Sequence, residues 1–288
     1  MTGPGVGSVL GTCGAEDVRR DPFPYAVRDH VLADAVYEKL SDSFPPLERF
    51  VQGLEEVSSN QAVRIPATQV LGDRQFSREW REFFGYHTSQ DFWGDIVRVF
   101  GDRLRDAYPD LETRVGRPFE DWRTKRRDED GEAEVDLDLL FVINTAVEKE
   151  SSVRPPRVDN ERKIFSGLFY MRPEGDETPG GDLAIYRPRG GGLRFGGHYV
   201  ERRAIEQADL VGYTANRFVG FVNSAESVHG VTPRPRTQQV RRYINFVAEL
   251  PFPIFELPKL PWHRKKLFRL TRRDKAAGVT LGYGAGAD

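Results

Sequence analysis

The sequence has very little cysteine and no long apolar run. Its 288 residues contain one cysteine, Cys13, which excludes an intramolecular disulfide framework and a cysteine-rich zinc site. A chain without disulfides suits a reducing compartment, and we therefore expect a cytoplasmic protein. No apolar stretch approaches the roughly 20 residues that span a bilayer, so we expect no transmembrane segment.

A surplus of charge of either sign is missing too. The chain carries 42 Lys and Arg residues against 44 Asp and Glu residues, a formal net charge of -2. Because nucleic-acid-binding proteins usually carry a marked positive excess, we expect no nucleic-acid partner. The first 20 residues are small and rich in glycine, with no charge before Glu16, and they lack the basic start of a signal peptide. We predict that residues 1–20 form a disordered arm.

Two helix patterns stand in the first half of the chain. Asp29 is of the residue type that caps helices, and Leu32, Val36 and Leu40 follow at four-residue spacing until two prolines end the helix at Phe44.

The segment 87–110 predicts a second helix, for which Thr88 and Asp91 have the spacing of a capping box. Its apolar face consists of Phe92, Ile96, Phe100 and Leu104. We interpret these aromatic residues as core and not as part of a cofactor site.

The pattern changes to alternation in "VDLDLLFVIN", where apolar residues from Val135 to Ile143 alternate with Asp136 and Asp138. The charge run "RTKRRDEDGEAE" before it predicts a loop. Further short strands follow in "KIFSGLFYM", "DLAIY", "RFVGFVN" and "QVRRYINFVAEL". Short strands joined by turns, without helical crossovers, indicate an antiparallel barrel or jelly roll.

We therefore expect one domain over residues 21–258, with a helix-rich support at 21–134 and a β core at 135–258. Residues 259–288 are predicted to form a basic C-terminal tail. That tail is either a solvated segment or a contact for an acidic partner or an anionic membrane surface.

A candidate metal site lies in two separate segments. Residues two apart on an extended chain face the same side, so a His-x-Asp pair can chelate one metal ion, and a distant histidine completes a facial set. The corresponding residues here are Arg157, Asp159 and, far along the chain, His229 in "NSAESVHGVTPRP". The strand "VRRYINF" follows, and an inward arginine on it could bind the far carboxylate of a dicarboxylate.

These pieces together resemble the 2-oxoglutarate- and iron(II)-dependent oxygenases of the prolyl-hydroxylase type. The resemblance covers about Val135 to Leu250 and is carried by "RVDNERKIFSGLFYM", "PGGDLAIY", "NRFVGFVNSAESVHGVTPR" and "RRYINF", in that order. It implies a mainly β fold, a double-stranded β-helix (jelly roll, cupin-like) supported by N-terminal helices. It also implies an oxidoreductase that uses Fe(II) and 2-oxoglutarate to hydroxylate a small molecule, a sugar derivative or a peptide side chain.

Site residues follow from the same resemblance. Asp159 and His229 are the implied iron ligands. Arg242 is implied to bind 2-oxoglutarate, with Arg241 as the alternative because alternation lets only one of them face inward. Tyr170 would hydrogen-bond the co-substrate, and Asn216 would orient the site.

The chain departs from the family pattern at Arg157, which occupies the first-histidine position. Arginine offers only donors and cannot ligate a metal, and its guanidinium is placed to pair with Asp159. Three interpretations follow. The first is a working enzyme, either with a third ligand from elsewhere, for which His198 is the remaining histidine near the β core, or with Arg157 turned away from the site. The second is a metal-free member that acts as a binding or scaffold subunit or a non-oxidative enzyme, and the third is a recent or engineered substitution. A cupin-like carbohydrate-binding barrel is a further alternative.

Overall fold

The computed structural model describes residues 6–51, 57–190 and 192–258. The α-helices precede most of the strands and are α1 (Asp34–Asp42), α2 (Leu47–Phe50), α3 (Ala67–Gly72), α4 (Arg78–His87), α5 (Gln90–Ala107) and α6 (Leu111–Val115). Short 3-10 turns lie at Ala15–Asp17, Phe119–Asp121 and Arg202–Ala204.

The strands are β1 (Tyr25–Arg28), β2 (Ala62–Pro66), β3 (Thr124–Arg126), β4 (Val135–Asn144), β5 (Lys163–Tyr170), β6 (Leu183–Pro188), β7 (Phe195–Gly196), β8 (Tyr199–Val200), β9 (Ile205–Val211), β10 (Arg217–Val222), β11 (His229–Val231) and β12 (Arg241–Glu249). Five of them, β4, β5, β6, β10 and β12, lie in the segments that the sequence predicted as strands, and the other strands were not predicted.

Two antiparallel sheets form the β core. The larger has the order β1-β10-β5-β12-β4-β2, with β3 parallel to β4 at its side; the smaller has the order β11-β6-β9. Their inner faces pack together through Tyr170, Phe221 and Tyr243 on the larger sheet and Leu183 and Ile185 on the smaller. Non-sequential strand neighbours within two facing sheets make this a double-stranded β-helix, which confirms the predicted fold class.

The helices cover the outer face of the larger sheet. Along β12, Ile244, Phe246 and Ala248 pack toward the helices, whereas Tyr243 and Val247 face the smaller sheet. This is the two-residue period of a strand buried on both sides. The predicted apolar face of α5 is fully buried against this layer at Phe92, Ile96, Phe100 and Leu104.

Two helix starts differ from the sequence prediction. Helix α1 begins at Asp34 and not at Asp29, because the Asp29 carboxylate instead accepts from the Arg217 guanidinium at 2.9 Å. Thr88 does not cap α5, since its hydroxyl donates to the Phe84 carbonyl at 2.7 Å at the end of α4. The charge run predicted as a loop also contains the short strand β3.

The prediction of a disordered arm over residues 1–20 is wrong for the described residues 6–20. Val9, Leu10 and Cys13 are buried. Arg98 of α5 donates to the carbonyls of Leu10 and Cys13 at 2.9 and 2.6 Å, and the Val9 amide donates to His87 at 3.1 Å. Small residues let this segment lie close to the helices, whose polar side chains satisfy its backbone groups.

The first half of the chain also contributes to the β core, because β1 pairs with β10 and β2 pairs with β4. The predicted basic tail at 259–288 lies outside the described residues. Within the described ranges, no helix is both long and apolar enough to cross a bilayer.

Candidate functional site

A cavity of about 240 Å³ lies between the two sheets. Its walls carry six basic side chains from separate parts of the chain: Arg64, Arg127, Arg154, Arg157, Lys163 and Arg241. One carboxylate, Asp159, and one histidine, His229, line the same cavity. The other lining residues are chiefly apolar side chains from the inner faces of both sheets. The cavity is therefore a strongly cationic site enclosed by an apolar barrel.

The extended segment 151–159 brings Asp159 to His229. This segment runs antiparallel to β11, and Arg157 and His229 exchange backbone hydrogen bonds of 2.8 Å in both directions. Ser151 and Arg234 form a second bridge further along. The segment therefore acts as an additional edge of the smaller sheet. It places Arg157 and Asp159 at the cavity, as predicted for residues two apart on an extended chain.

Asp159 is surrounded by cations and a hydroxyl. Arg157 Nη2 lies 3.1 Å from Oδ1, Lys163 Nζ lies 3.6 Å from Oδ2, and the Ser166 hydroxyl donates to Oδ2 at 2.8 Å. Burial alone would raise the pKa of Asp159, but the neighbouring positive charges and the Ser166 hydrogen bond hold this pKa well below its usual value of 3.8. Asp159 is therefore a carboxylate whose lone pairs are already engaged.

His229 faces the same carboxylate. Its Nε2 lies 3.7 Å from Asp159 Oδ1, and its Nδ1 lies 2.9 Å from the Ser227 carbonyl oxygen. Burial lowers the pKa of His229, so the ring is neutral at pH 7. In the tautomer that donates from Nδ1 to Ser227, the Nε2 lone pair points toward Asp159. Two acceptors thus face each other, which is the arrangement of a metal-ligand pair.

The remaining residues do not fit an iron site. A facial site needs a third ligand, and Arg157 offers only donors and occupies Asp159 Oδ1. Lys163 adds a second positive charge beside the same carboxylate. Among the residues that the structure describes, no group of three or more His, Cys, Asp or Glu side chains could hold a metal ion. His198 does not supply the ligand, because its Nδ1 faces Glu161 at 3.9 Å and it does not line the cavity.

The two arginines of β12 face opposite sides. Arg241 lines the cavity, whereas Arg242 points to the helical layer, where it donates to the Met171 carbonyl at 3.1 Å and lies over the Phe44 ring. The expectation that Arg242 faces inward is wrong, because the register of β12 against β4 and β5 turns the odd-numbered residues toward the smaller sheet. Arg241, the alternative, is the inward residue.

Tyr170 lies on the cavity side of its strand, whereas Asn216 lies away from the cavity. Tyr170 is buried on the cavity side of β5, and its ring lies 5.1 Å from Arg241 Cζ. Asn216 lies away from the cavity, with a φ of 54° in the left-handed region. Its side chain donates to the Leu32 carbonyl at 2.8 Å and accepts from the Leu32 amide at 3.1 Å. The expectation that Asn216 orients the site is wrong, because this amide instead ties β10 to the segment before α1.

Sequence reasoning missed several residues of the site, chiefly Arg64, Arg154, Lys163 and Ser166. Ser166 could have been found, since it has the same parity as Tyr170 on β5. Arg64 lies on a strand that the sequence analysis did not predict. Arg154 lies three residues before Arg157, a spacing that on a regular strand would place the two side chains on opposite sides. With two prolines between them, both side chains nevertheless line the cavity.

No family model matches the chain, and no curated protein matches it in sequence. Solved structures similar to it include a prolyl 4-hydroxylase from Phytophthora capsici (14% identity, 86% of this chain and 68% of that chain, TM-score 0.47). A Pseudomonas putida prolyl-4-hydroxylase is also similar (11% identity, coverage 79% and 93%, TM-score 0.42). So is the epimerase SnoN in complex with Fe3+, alpha ketoglutarate and nogalamycin RO (16% identity, coverage 87% and 95%, TM-score 0.42).

Proposed function

We propose that the cavity binds a dicarboxylate of the 2-oxoglutarate class without iron, in a fold of the oxygenase type. The observation that carries the proposal is Arg241, which is 1% exposed and has a buried Nη2 without a hydrogen-bond partner in the described part of the chain. A buried charge without a counter-charge is strongly destabilising. An anionic ligand would supply the missing partner.

The surroundings of Arg241 hold its guanidinium still. Its Nε donates to the Gly181 carbonyl at 2.7 Å, and its Nη1 donates to Asn144 Oδ1 at 3.2 Å. The rings of Tyr243, Tyr213 and Tyr170 lie 4.5, 4.9 and 5.1 Å from Cζ. No ion pair to a carboxylate engages Arg241 in the described ranges. A rigid planar fork with a free edge is well suited to one carboxylate.

Two further donors near Arg241 also lack partners. Asn144 Nδ2 and Tyr170 Oη are buried without a hydrogen-bond partner among the described residues. Asn144 already contacts the Arg241 guanidinium, and Tyr170 packs beside it. Native proteins leave few buried polar groups unsatisfied, and three unsatisfied donors in one place favour a bound acceptor. Two carboxylate oxygens offer enough lone pairs for all three.

The other end of the cavity also suits an anion. Arg157 and Lys163 there exceed the charge of Asp159, so the second carboxylate of a ligand would meet a net positive field. Because the residues do not fit iron, the chain's own role in this proposal is to bind and orient the dicarboxylate. A binding subunit or a non-oxidative enzyme meets that description.

The binding test uses two adjacent arginines as a matched pair. Calorimetric titration of the full chain with 2-oxoglutarate, in excess EDTA, is expected to show binding. Arg241→Met is expected to weaken it at least about a hundredfold, since a charge-assisted bidentate contact is worth about 3 kcal/mol. Arg242→Met removes the same charge from the other face and is expected to leave the affinity within about threefold. Equal losses in both variants, or no binding by the wild type, would refute the proposal.

A second candidate function is iron-dependent hydroxylation of a small molecule, sugar derivative or peptide side chain. The observation that favours it is the facing pair of Asp159 Oδ1 and His229 Nε2 at 3.7 Å. Arg157→His would add the missing ligand type. Iron(II) binding and release of succinate from 2-oxoglutarate are measured for the wild type and this variant. We expect both only in the variant; turnover by the wild type would establish the oxygenase and overturn the iron-free proposal.

A further inference from the structure

Two arginines of the cavity have no acidic partner among the described residues. The Arg154 guanidinium makes no hydrogen bond or ion pair there, and Arg64 donates only to the Ala62 carbonyl, at a long 3.4 Å. Arg127, in contrast, is neutralised by Glu249 and by Asp138, the latter at 3.6 Å. Arg64 and Arg154 are thus free to bind a ligand.

The groups that face Arg154 are two cations and two phenols. Arg157 and Arg64 lie close enough to disfavour its charge, and Tyr243 and Tyr199 lie close enough to favour it. Burial, followed by these two arginines, lowers the pKa of Arg154 to about 10. Arg154 remains charged at neutral pH, so the repulsion between the guanidinium groups persists until an anion enters.

The charge of the cavity exceeds what a dicarboxylate neutralises. With Arg127 paired, five basic groups remain, namely Arg64, Arg154, Arg157, Lys163 and Arg241. Asp159 supplies the one carboxylate in the cavity lining, and His229 is neutral. The excess is four positive charges, of which a dicarboxylate offsets two. A phosphate monoester, whose second pKa lies near 6, carries about two negative charges at pH 7 and matches the remainder.

We propose that Arg64 and Arg154 form a second anion subsite, and that the ligand bound there, beside the dicarboxylate, is a phosphorylated small molecule. The inference rests on the proposed dicarboxylate site at Arg241. Two guanidinium forks suit the three oxygens of a phosphate group. Tyr243 is a neighbour of both subsites, since it lies close enough to Arg154 to favour its charge and its ring lies 4.5 Å from Arg241 Cζ.

The size of the cavity limits the ligand to a metabolite. Its volume of about 240 Å³, which the dicarboxylate would share, is below the ~300–1,000 Å³ of pockets for drug-sized molecules, so the phosphate ester must itself be small. A phosphorylated polymer or a protein segment would not fit inside it. The subsite is therefore assigned to a small phosphate ester bound within the barrel.

The test titrates the full chain with inorganic phosphate and with glycerol phosphate, in excess EDTA, with and without saturating 2-oxoglutarate. Both phosphates are expected to bind in the presence of 2-oxoglutarate, the ester at least as tightly as inorganic phosphate. The double variant Arg64→Gln, Arg154→Gln is expected to lose at least about tenfold in phosphate affinity. Its affinity for 2-oxoglutarate should stay within about threefold. Arg203→Gln, an exposed arginine, controls for the loss of charge.

Arg241→Met separates this inference from the proposed function. It is expected to abolish 2-oxoglutarate binding and to retain phosphate binding. If phosphate competes with 2-oxoglutarate, or if Arg241→Met abolishes both, the cavity has one anion site and the inference fails while the proposed function stands. If the wild type binds phosphate but does not bind 2-oxoglutarate, the proposed function is refuted instead.

Folding of the variants is checked by thermal unfolding. Arg154→Lys keeps the positive charge but loses the planar fork, so it provides a variant that should fold if the double variant does not. It is expected to bind phosphate several-fold more weakly than the wild type does. Unchanged phosphate affinity in Arg154→Lys and in Arg64→Gln, or a preference for inorganic phosphate over the ester, would overturn the assignment.

Discussion

Lowering the pH from 7 to 5 is expected to remove about 2 kcal/mol of the stabilisation that depends on His87. This residue is 1% exposed and packs on the rings of Phe83 and Phe92. Its Nδ1 donates to the Phe83 carbonyl at 2.8 Å, and its Nε2 accepts from the Val9 amide at 3.1 Å. A proton on Nε2 would break the bond to Val9, which attaches the N-terminal segment to α4.

The magnitude follows from the pKa of His87. Burial lowers this pKa from its ordinary 6.5 to about 3 in the folded protein. Between these two values the unfolded chain binds one more proton than the folded chain, so the free energy of unfolding falls as the pH falls. The slope is about 1.4 kcal/mol per pH unit. Integrated from pH 7 to pH 5, the loss is about 2 kcal/mol.

Asp138 opposes this trend and must be separated from it. Burial raises the pKa of Asp138 to about 6, so below that pH the folded chain gains a proton that the unfolded chain binds only near 3.8. This stabilises the fold on acidification. The informative quantity is therefore the difference in unfolding free energy between the wild type and His87→Gln, in which the Asp138 contribution is common to both.

Urea unfolding of both proteins at pH 7 and pH 5 measures that difference. The advantage of the wild type is expected to shrink by about 2 kcal/mol at the lower pH. His30→Gln is the control, because the His30 side chain is 78% exposed, and its difference from the wild type should not change by more than about 0.5 kcal/mol. A difference for His87→Gln that stays constant between the two pH values would refute the buried neutral imidazole.

Three further predictions concern stability and reactivity. Gly180→Ala is expected to lower the unfolding free energy in urea by more than Gly175→Ala does. Both glycines have positive φ, but a Cβ at Gly180 would overlap the Pro233 carbonyl oxygen, whereas no atom lies within 4 Å of a Cβ at Gly175. Asn216→Ala should cost about 2 kcal/mol in urea unfolding, because two buried hydrogen bonds are lost. Cys13, buried and with a pKa raised to about 11 chiefly by burial, should react with iodoacetamide at pH 8 only after unfolding; reaction of the folded protein would contradict its position.

Much of the local structure could be predicted from the sequence, because it depends on near neighbours. The alternation in Val135–Asn144 identified β4, and the four-residue spacing from Phe92 to Leu104 identified the buried face of α5. Arg157 and Asp159, two residues apart on an extended segment, were expected to pair, and Arg157 Nη2 lies 3.1 Å from Asp159 Oδ1. Each of these depends on the period of a helix or a strand, which the sequence carries directly.

The limit of this reasoning is visible on β12. Alternation states that Arg241 and Arg242 face opposite sides, but it does not state which side is the cavity. The register of β12 between β4 and β5, and the position of the helices on the outer face, turned Arg241 inward. The alternation along a strand is the same whichever layer packs on each face, so it cannot identify the cavity side.

The cationic cavity was likewise decided by tertiary structure. Arg64, Arg154, Lys163 and Arg241 are spread over 177 residues of the sequence (241 - 64), and the chain as a whole carries a net charge of only -2. The sequence by itself determined the strands β4, β5, β6, β10 and β12, the buried face of α5, and that the arginine at position 157 cannot ligate a metal, since those depend on residue type and short spacing. The pairing of distant strands decided which charges meet, because electrostatic neighbours in a barrel are set by strand order and not by chain order.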